Sequence, residues 1–195
     1  MSKWFPKLYD KLMAPLEKKK LENIRRGLIS KAEGHVLEIG SGTGANFPFY
    51  KNASHITAIE PNPNMIKESL PKINQTRVPI DIRQESAEVL PFKENTFDTV
   101  VGTLVFCTIP NPRQALNDIR RVLKPEGKFL LFEHVRMGNT TLSSLQNILT
   151  PVWKHLCDGC HLNRDTLKFV QESEFHVNNV TSYYNGLFLV IESTN

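Results

Sequence analysis

A glycine-rich turn directly after a short apolar run constrains this chain more than any other feature. The run covers residues 36–39 and is typical of a buried parallel strand, and glycines follow at positions 40, 42 and 44. Because glycine has no Cβ, the backbone here can adopt positive φ and approach a bound nucleotide or nucleoside, with a helix predicted over residues 45–51. The spacing Gly-x-Gly-x-x-Ala also fits a dinucleotide fingerprint, so the turn alone leaves two ligand classes open.

The size and composition of the chain indicate one ordinary globular domain. Its 195 residues are enough for a sizeable core, and 40% hydrophobic content is typical of a soluble protein. No apolar stretch approaches the roughly 18 residues needed to cross a membrane, and the start of the chain lacks a signal peptide's apolar core. Three cysteines are few and odd in number, which favours a reducing compartment. We therefore predict a single cytoplasmic domain over residues 1–195.

Basic residues are concentrated in an N-terminal arm, residues 1–33, which contains nine Lys or Arg against four Asp or Glu. Trp4, Leu8, Leu12 and Leu16 recur every four residues and predict one apolar face of a helix. The arm is expected either to pack on its own domain or to make peripheral contact with an anionic membrane. It lacks the interleaved exposed aromatics and the known reader motifs of nucleic-acid-binding segments, so nucleic acid is not an expected partner.

A carboxylate at the end of the second predicted strand is the next ligand-binding signal. Residues 55–60 form this strand, and Glu60 lies 20 residues after the first glycine of the turn. At this position a carboxylate can accept hydrogen bonds from both hydroxyls of a ribose. Asn62 and Pro63 then predict the N-cap and first residue of a helix over about 63–72.

Strand and helix signals continue to alternate along the chain. The further elements are strands at 78–84, 97–106 and 128–133 and a helix from about 112 to 123. This alternation predicts a doubly wound, mostly parallel sheet of the α/β class. Loops after the strands line the ligand crevice of such a sheet, so Ser86 and Ala87 are expected to contact an adenine edge, whereas Asp98 is expected to be structural.

The C-terminus helps to separate the two ligand classes. Strand-like runs at 176–184 and 187–192 are separated by Asn185 and Gly186. An Asn-Gly pair between such runs is the strongest short signal for an antiparallel hairpin, and a parallel dinucleotide-binding fold does not expect this ending. A nicotinamide-dependent oxidoreductase is therefore kept only as an alternative.

Five motifs together resemble those of the class I S-adenosylmethionine-dependent methyltransferases. They are Glu38-x-Gly40-Ser-Gly42-Thr-Gly44, Glu60, Leu90-Pro-Phe92, Phe97-Asp98 and Arg120-Arg-Val-Leu-Lys-Pro-x-Gly127. The resemblance covers about residues 30–195 and implies a Rossmann-like, seven-stranded sheet with a reversed last strand and S-adenosylmethionine as the methyl donor. It places Glu38 near the donor's ammonium, and it aligns Ser86 with an aspartate that binds adenine in many relatives.

The resemblance also implies the donor-binding residues and the division of the domain. The donor site is expected to contain Glu38, Gly40, Ser41, Gly42, Thr43, Gly44, Asn46, Glu60, Pro61, Asn62, Ser86, Ala87 and Thr103. The cofactor-binding core is expected over 34–134, an acceptor-site insertion over 135–168, and the last helix with the terminal hairpin over 169–195.

Four further motifs are similar to those of a methyltransferase-like family that includes the mammalian alkyl thiol S-methyltransferases. They are Thr43-Gly-Ala-Asn-Phe-x-Phe49, Pro61-Asn-Pro-Asn64, Glu133-His134 and Cys157-Asp-Gly-Cys160. The similarity implies a small-molecule acceptor, for which a thiol is one candidate. A protein that binds the donor without turnover is the alternative.

The insertion over 135–168 is expected to be irregular and to bind the acceptor. Its Cys-x-x-Cys-His pattern matches c-type haem attachment, which a cytoplasmic chain without an export signal does not support. Four zinc ligands are also conceivable, namely His155, Cys157, Cys160 and His161. They crowd into seven residues without a distant second pair, so no metal is expected. The other interpretations are a structural loop with reduced cysteines, or acceptor contact by Asp158, Asn163 or Arg164.

Methyl transfer requires little chemistry from side chains beyond alignment and exclusion of water, because the methyl carbon is already activated by a sulfonium leaving group. A base is needed only for a protonated acceptor, such as a thiol of pKa about 8.5. His134 is predicted as this base, since it ends a strand at the ligand edge and an imidazole has an ordinary pKa near 6.5. Asp158 is the second candidate, and a purely structural role for His134 stays open.

Overall fold

The computed structural model describes residues 21–195, and the apolar stripe predicted in the N-terminal arm lies outside the described residues. The helices are α1 (Glu22–Ile29), α2 (Pro63–Ile73), α3 (Pro112–Val122), α4 (Thr140–Leu156) and α5 (Thr166–Glu172). The strands are β1 (Glu33–Ile39), β2 (Asn52–Ile59), β3 (Ile80–Arg83), β4 (Phe97–Thr103), β5 (Leu123–His134), β6 (His176–Tyr183) and β7 (Phe188–Thr194).

All seven strands form one sheet in the order β3-β2-β1-β4-β5-β7-β6. Strands β1 to β5 are parallel, whereas β7 lies antiparallel between β5 and β6. The predicted α/β class, the doubly wound order and the reversed last strand are confirmed. Because β1, β2, β4 and β5 run in one direction, their carboxyl ends meet along one edge of the sheet, where ligands of such folds bind.

The two faces of the sheet bury different sets of side chains. Leu37 and Ile39 point to the face covered by α3, whereas Val36 points to the face covered by α1. This alternation follows from the period of two in a strand, and it explains why β1 reads as a continuous apolar run.

Asp98 has a structural role, since its carboxylate accepts hydrogen bonds from the His35 N–H at 2.8 Å and from Lys124 Nζ at 2.6 Å.

The chain after the glycine turn differs from the prediction. The helix expected over 45–51 is wrong, because only a 3-10 helix forms there, at Phe47–Phe49. Tyr50 is already extended, with ψ of 123°, and both Phe47 and Tyr50 are buried. The strand predicted over 97–106 ends at Thr103, since the next residue, Leu104, turns the backbone with a φ of 53°.

The insertion over 135–168 is largely helical, so the prediction of an irregular segment is wrong. Asn139 caps α4, because its side-chain oxygen accepts hydrogen bonds from two N–H groups of the first turn. Pro151 lies inside the helix and interrupts its sequence pattern. The helix buries polar side chains such as Gln146 and exposes apolar ones, with Ile148 72% exposed. Among the residues described, no helix is both long and apolar enough to cross a membrane.

Candidate active site

The glycine turn after β1 presents bare backbone at the ligand edge. Gly40 and Gly42 have φ values of 61° and 54°, in the left-handed region that favours glycine. A Cβ at Gly40 would lie 2.2 Å from Val105 Cγ2, so this residue lets the turn pack closely against the end of β4. A Cβ at Gly42 would meet nothing within 4 Å, so its backbone faces open space. The turn therefore has the form of a cradle for a ligand.

Glu60 is fixed beside this cradle by two backbone donors. Its Oε2 accepts a hydrogen bond from the Gly42 N–H at 3.0 Å, and its Oε1 accepts one from the Asn62 N–H at 2.9 Å. Burial raises the pKa of Glu60, the two N–H donors oppose this effect, and the charge of Asp158 adds to it. Each carboxylate oxygen has a second lone pair, so the side chain can still accept hydrogen bonds from two ribose hydroxyls.

Two buried polar atoms near the turn support a nucleoside ligand. Ser41 Oγ and Asn62 Nδ2 have no hydrogen-bond partner among residues 21–195. Buried polar groups in folded proteins are nearly always paired. A ligand that carries hydroxyl groups and ring nitrogens fits these two atoms, so the residues present fit S-adenosylmethionine. Asn62 Oδ1 also accepts from the Asn64 N–H and caps α2 as predicted.

Glu38 is buried before the glycine turn and belongs to a hydrogen-bond network. Its two oxygens accept from Asn46 Nδ2 at 2.9 Å and from the Tyr50 hydroxyl at 2.8 Å. Asn46 Oδ1 in turn accepts from Arg25 at 2.8 Å, and Arg25 also donates to Thr103 Oγ1 at 2.7 Å. Because Asn46 donates on one side and accepts on the other, its partners fix the orientation of its amide.

The charge of Glu38 depends on what binds beside it. Burial raises the pKa of Glu38 to about 7, although the hydrogen bonds from Tyr50 and Asn46 and the charge of Arg25 all act in the opposite direction. Burial destabilises the ionised form of this carboxyl group, and a neighbouring cation would stabilise it. The ammonium that the resemblance places here would supply that cation.

Arg25 and Tyr50 belong to this network, and sequence reasoning missed both as site residues. In the sequence Arg25 belongs to the basic arm, yet in the structure it is 5% exposed. A signal for it existed, since Arg25 lies four residues after Leu21 and three before Leu28, on the buried face of α1. A charged residue on an apolar helix face indicates a buried partner. Tyr50 carried no comparable signal, because it falls in the segment predicted as a helix.

The remaining predicted donor residues lie at the same edge in different settings. Thr43 is buried, and its hydroxyl accepts a hydrogen bond from Lys72 Nζ at 3.2 Å. Ala87 belongs to the loop after β3 and is buried, whereas Ser86 and Pro61 are exposed. The Ser86 hydroxyl is engaged with Glu88, so an adenine contact in this loop falls to backbone or to Ala87.

A second group of side chains lies at the ends of β4 and β5. His134 Nε2 and Cys160 Sγ are 3.2 Å apart, and Cys107 Sγ joins them so that all three ligand-type atoms lie within 4.8 Å of one another. Both cysteines are buried, and His134 is partly buried. Of the four zinc ligands considered from the sequence, only Cys160 belongs to this group. Spatial neighbours from distant segments, Cys107 and His134, replace the other three.

The segment 104–107 joins this group to the donor cradle. Val105 packs against Gly40 on the cradle side. On the other side, Glu133 Oε1 accepts hydrogen bonds from the N–H groups of Val105 and Phe106 at 3.0 and 3.1 Å. Cys107 follows directly. The two groups of side chains are therefore neighbours along one short turn.

Three other predicted acceptor residues lie outside this group of three. Arg164 donates to the Phe106 carbonyl oxygen at 2.6 Å, and Asn163 donates to Asn147 Oδ1 at 2.8 Å. Asp158 is exposed, and its charge acts on Glu60. A role for Asp158 as the second candidate base stays a prediction.

A seven-stranded sheet with a reversed last strand, an acidic residue before the glycine turn and a carboxylate after β2 define a class I S-adenosylmethionine-dependent methyltransferase. The family model described as "Methyltransferase domain" matches residues 37–131. Thiol S-methyltransferase TMT1B of Rattus norvegicus is 36% identical over 88% of this chain and 75% of its own length. Thiol S-methyltransferase TMT1A of Homo sapiens is 34% identical over 89% and 75%. The chain belongs to the methyltransferase family that includes these two proteins.

Solved structures agree with the fold. An S-adenosylmethionine-dependent methyltransferase from Thermotoga maritima superposes with a TM-score of 0.71 at 19% identity, covering 98% of this chain and 96% of its own. A second such enzyme, from Aquifex aeolicus, has a TM-score of 0.67 at 15% identity, and the superposition covers 97% of each chain. These identities support the fold alone. Membership of the family makes this chain an S-adenosylmethionine-dependent methyltransferase and excludes the oxidoreductase alternative.

Proposed function

We propose that this enzyme methylates the sulfur of a small thiol. The observation that carries the proposal is the group Cys107, His134 and Cys160, which lies one turn away from the donor cradle at the ligand edge of the sheet. The names of its relatives TMT1A and TMT1B, both thiol S-methyltransferases, support the same acceptor class. The apolar side chains that α4 exposes suit a thiol with an apolar body.

The donor residues hold and orient the two ends of S-adenosylmethionine in this proposal. Glu60 accepts hydrogen bonds from the ribose hydroxyls, and Glu38 pairs with the ammonium. Arg25 lies at the same end of the site, where its guanidinium suits the donor's carboxylate. When bound, S-adenosylmethionine supplies a methyl group on a sulfonium, which is activated for in-line displacement. The protein's main contribution is then alignment and exclusion of water.

The acceptor needs to lose a proton before it attacks. A free thiol has a pKa of about 8.5, so only a few per cent is thiolate at neutral pH. We propose His134 as the residue that promotes this loss, because its imidazole lies at the acceptor edge and its Nδ1 is buried without a hydrogen-bond partner among the described residues.

A panel assay tests the acceptor class directly. Purified enzyme with S-adenosylmethionine is offered thiol, phenol, amine and quinone acceptors, and methylated products are identified by mass spectrometry. We expect thioethers as the main products. Donor binding without any methylated product across the panel would favour a non-catalytic binder, and preferential methylation of another acceptor class would contradict the thiol proposal.

The variant His134→Ala is expected to lower turnover of a thiol by roughly a hundredfold, the usual contribution of a positioned acid or base. Affinity for S-adenosylhomocysteine, measured by calorimetry, is expected to change less than threefold, since His134 belongs to the group with Cys107 and Cys160 and the donor is assigned to the cradle. His176→Ala on exposed β6 is the matched control and should leave both quantities unchanged. Wild-type turnover by the His134 variant would remove this residue from the mechanism.

Donor affinity is expected to fall as the pH drops below about 7, the value to which burial raises the pKa of Glu38. Below that pH the free enzyme holds a proton on Glu38, which must leave when the donor's ammonium binds. The affinity for S-adenosylhomocysteine should therefore fall by up to about tenfold per pH unit on the acid side and level off above it. Calorimetry on wild type and Glu38→Gln checks this, because the variant should show a flatter profile. The same slope in both proteins would assign the titration to another group.

A further inference from the structure

We propose that Cys107, His134 and Cys160 bind one zinc ion, with an open fourth position that takes the sulfur of the acceptor. The acceptor part of this inference rests on the proposed thiol methylation. The metal site itself rests only on the three side chains and replaces the sequence-based expectation of a protein without metal.

The ligand atoms lie close to the spacing that zinc requires. Zinc bonds to sulfur at about 2.3 Å and to imidazole nitrogen at about 2.0 Å, so tetrahedral ligand atoms lie roughly 3.5 to 4 Å apart. Here all three atoms lie within 4.8 Å of one another, and Nε2 of His134 is 3.2 Å from Cys160 Sγ. Movements of about 1 Å or less would close a tetrahedral site. Two thiolates and one imidazole are a set that selects zinc among common divalent ions.

The scaffold holds the two cysteines together although they are 53 positions apart in the chain. The His161 N–H donates to the Cys107 carbonyl oxygen at 2.9 Å, which joins the two segments directly beside the sulfur atoms. Arg164 adds donors to the carbonyl oxygens of Phe106 and Ile109. The side chains therefore converge because of an ordered backbone frame, as a metal site requires.

The two cysteine side chains of this group meet in a buried place. Cys107 is 2% exposed and Cys160 is 8% exposed, so water has little access to either sulfur. The described residues contain all three cysteines, and none of them forms a disulfide. Cys157 belongs to the same loop as Cys160 but lies outside the group of three. It therefore provides a natural comparison.

Three protein ligands with one open position are the arrangement of catalytic zinc sites, whereas structural sites are closed by four. The turn 104–107 brings this group of three side chains close to the donor cradle. In this arrangement His134 is a ligand and promotes the loss of the proton through the metal. Zinc lowers the pKa of a bound thiol, so the acceptor binds as a thiolate and its proton leaves to solvent. A sulfur lone pair then forms the bond to the methyl carbon, while the electrons of the carbon–sulfur bond pass to the departing donor sulfur. The neutral thioether product is a weak ligand and leaves the metal.

The full chain, purified without chelators, tests the site by metal analysis. Wild type is expected to contain about one equivalent of zinc. In Cys107→Ser and in Cys160→Ser the zinc content is expected to fall at least about tenfold. Cys157→Ser is the matched control and should retain the metal. Because a core cysteine variant can misfold, wild type is also stripped with a chelator and reloaded with cobalt, which should give a thiolate-to-cobalt absorption band.

Addition of a small thiol to the cobalt protein tests the open position. The charge-transfer band is expected to intensify as a third sulfur binds, and the corresponding alcohol should leave it unchanged. Absence of zinc together with failure to take up cobalt would overturn the inference. Metal content that is unchanged by both cysteine substitutions would also overturn it, as would an absorption band that does not change when the thiol is added. Metal-free enzyme that methylates thiols at the full rate would overturn the zinc inference and leave the proposed function intact. Metal-loaded enzyme that yields no thioether would instead count against the proposed function.

Discussion

Replacing Glu60 with alanine is expected to reduce the affinity for S-adenosylhomocysteine by about a thousandfold. A hydrogen bond to a charged acceptor contributes about 1.5 to 3 kcal/mol, and Glu60 is placed to accept two of them from the ribose. The substitution also leaves the N–H groups of Gly42 and Asn62 without their acceptor, so the cradle loses its shape as well as its anchor. Calorimetric titration of wild type and variant measures the loss.

Two further variants separate the charge of Glu60 from its surroundings. Glu60→Gln keeps one oxygen acceptor and should show an intermediate loss. Glu68→Gln removes a carboxylate from the exposed side of α2 and should bind S-adenosylhomocysteine like wild type. Equal affinity of the Glu60→Ala variant and wild type would show that the donor binds elsewhere, and the whole assignment of the cradle would be wrong.

The parts of the fold that the sequence predicts are those governed by local signals. The apolar run of β1, the cap Asn62, and the turn at Asn185 and Gly186 each act within a few residues. Their outcome depends little on the rest of the chain. The donor cradle is predictable for the same reason, because the glycine turn and Glu60 are tied by the regular geometry of a parallel strand pair.

The parts that the sequence did not reveal depend on contacts between distant segments. Cys107 and Cys160 meet only because the insertion folds back on the turn after β4, and no periodicity encodes this contact. The helix α4 was missed because its buried face is polar and Pro151 interrupts it, so the usual amphipathic pattern is inverted. Tyr50 is extended because burial of its ring and its bond to Glu38 outweigh local helix propensity.

The variant Gly40→Ala is expected to lower the free energy of unfolding by about 2 to 5 kcal/mol. Forcing a Cβ into the left-handed region costs roughly 1 to 2 kcal/mol, and overpacking a closed contact adds about 1 to 3 kcal/mol. The contact is severe here, since the new Cβ would lie 2.2 Å from Val105 Cγ2 at a φ of 61°. Against a typical total stability of about 5 to 15 kcal/mol, denaturant unfolding should show the loss clearly.

The same variant should lose donor binding, because relief of the clash requires the turn to move away from Val105. Gly27→Ala is the matched control, since a Cβ there meets nothing within 4 Å and the residue lies inside α1. In that helical position alanine is expected to raise stability by up to about 1 kcal/mol and to leave donor affinity unchanged. A Gly40→Ala protein with wild-type stability would mean that the cradle and the segment 104–107 are not packed together. The closeness of the donor cradle to the group Cys107, His134 and Cys160, which the proposed function requires, would then lack its physical basis.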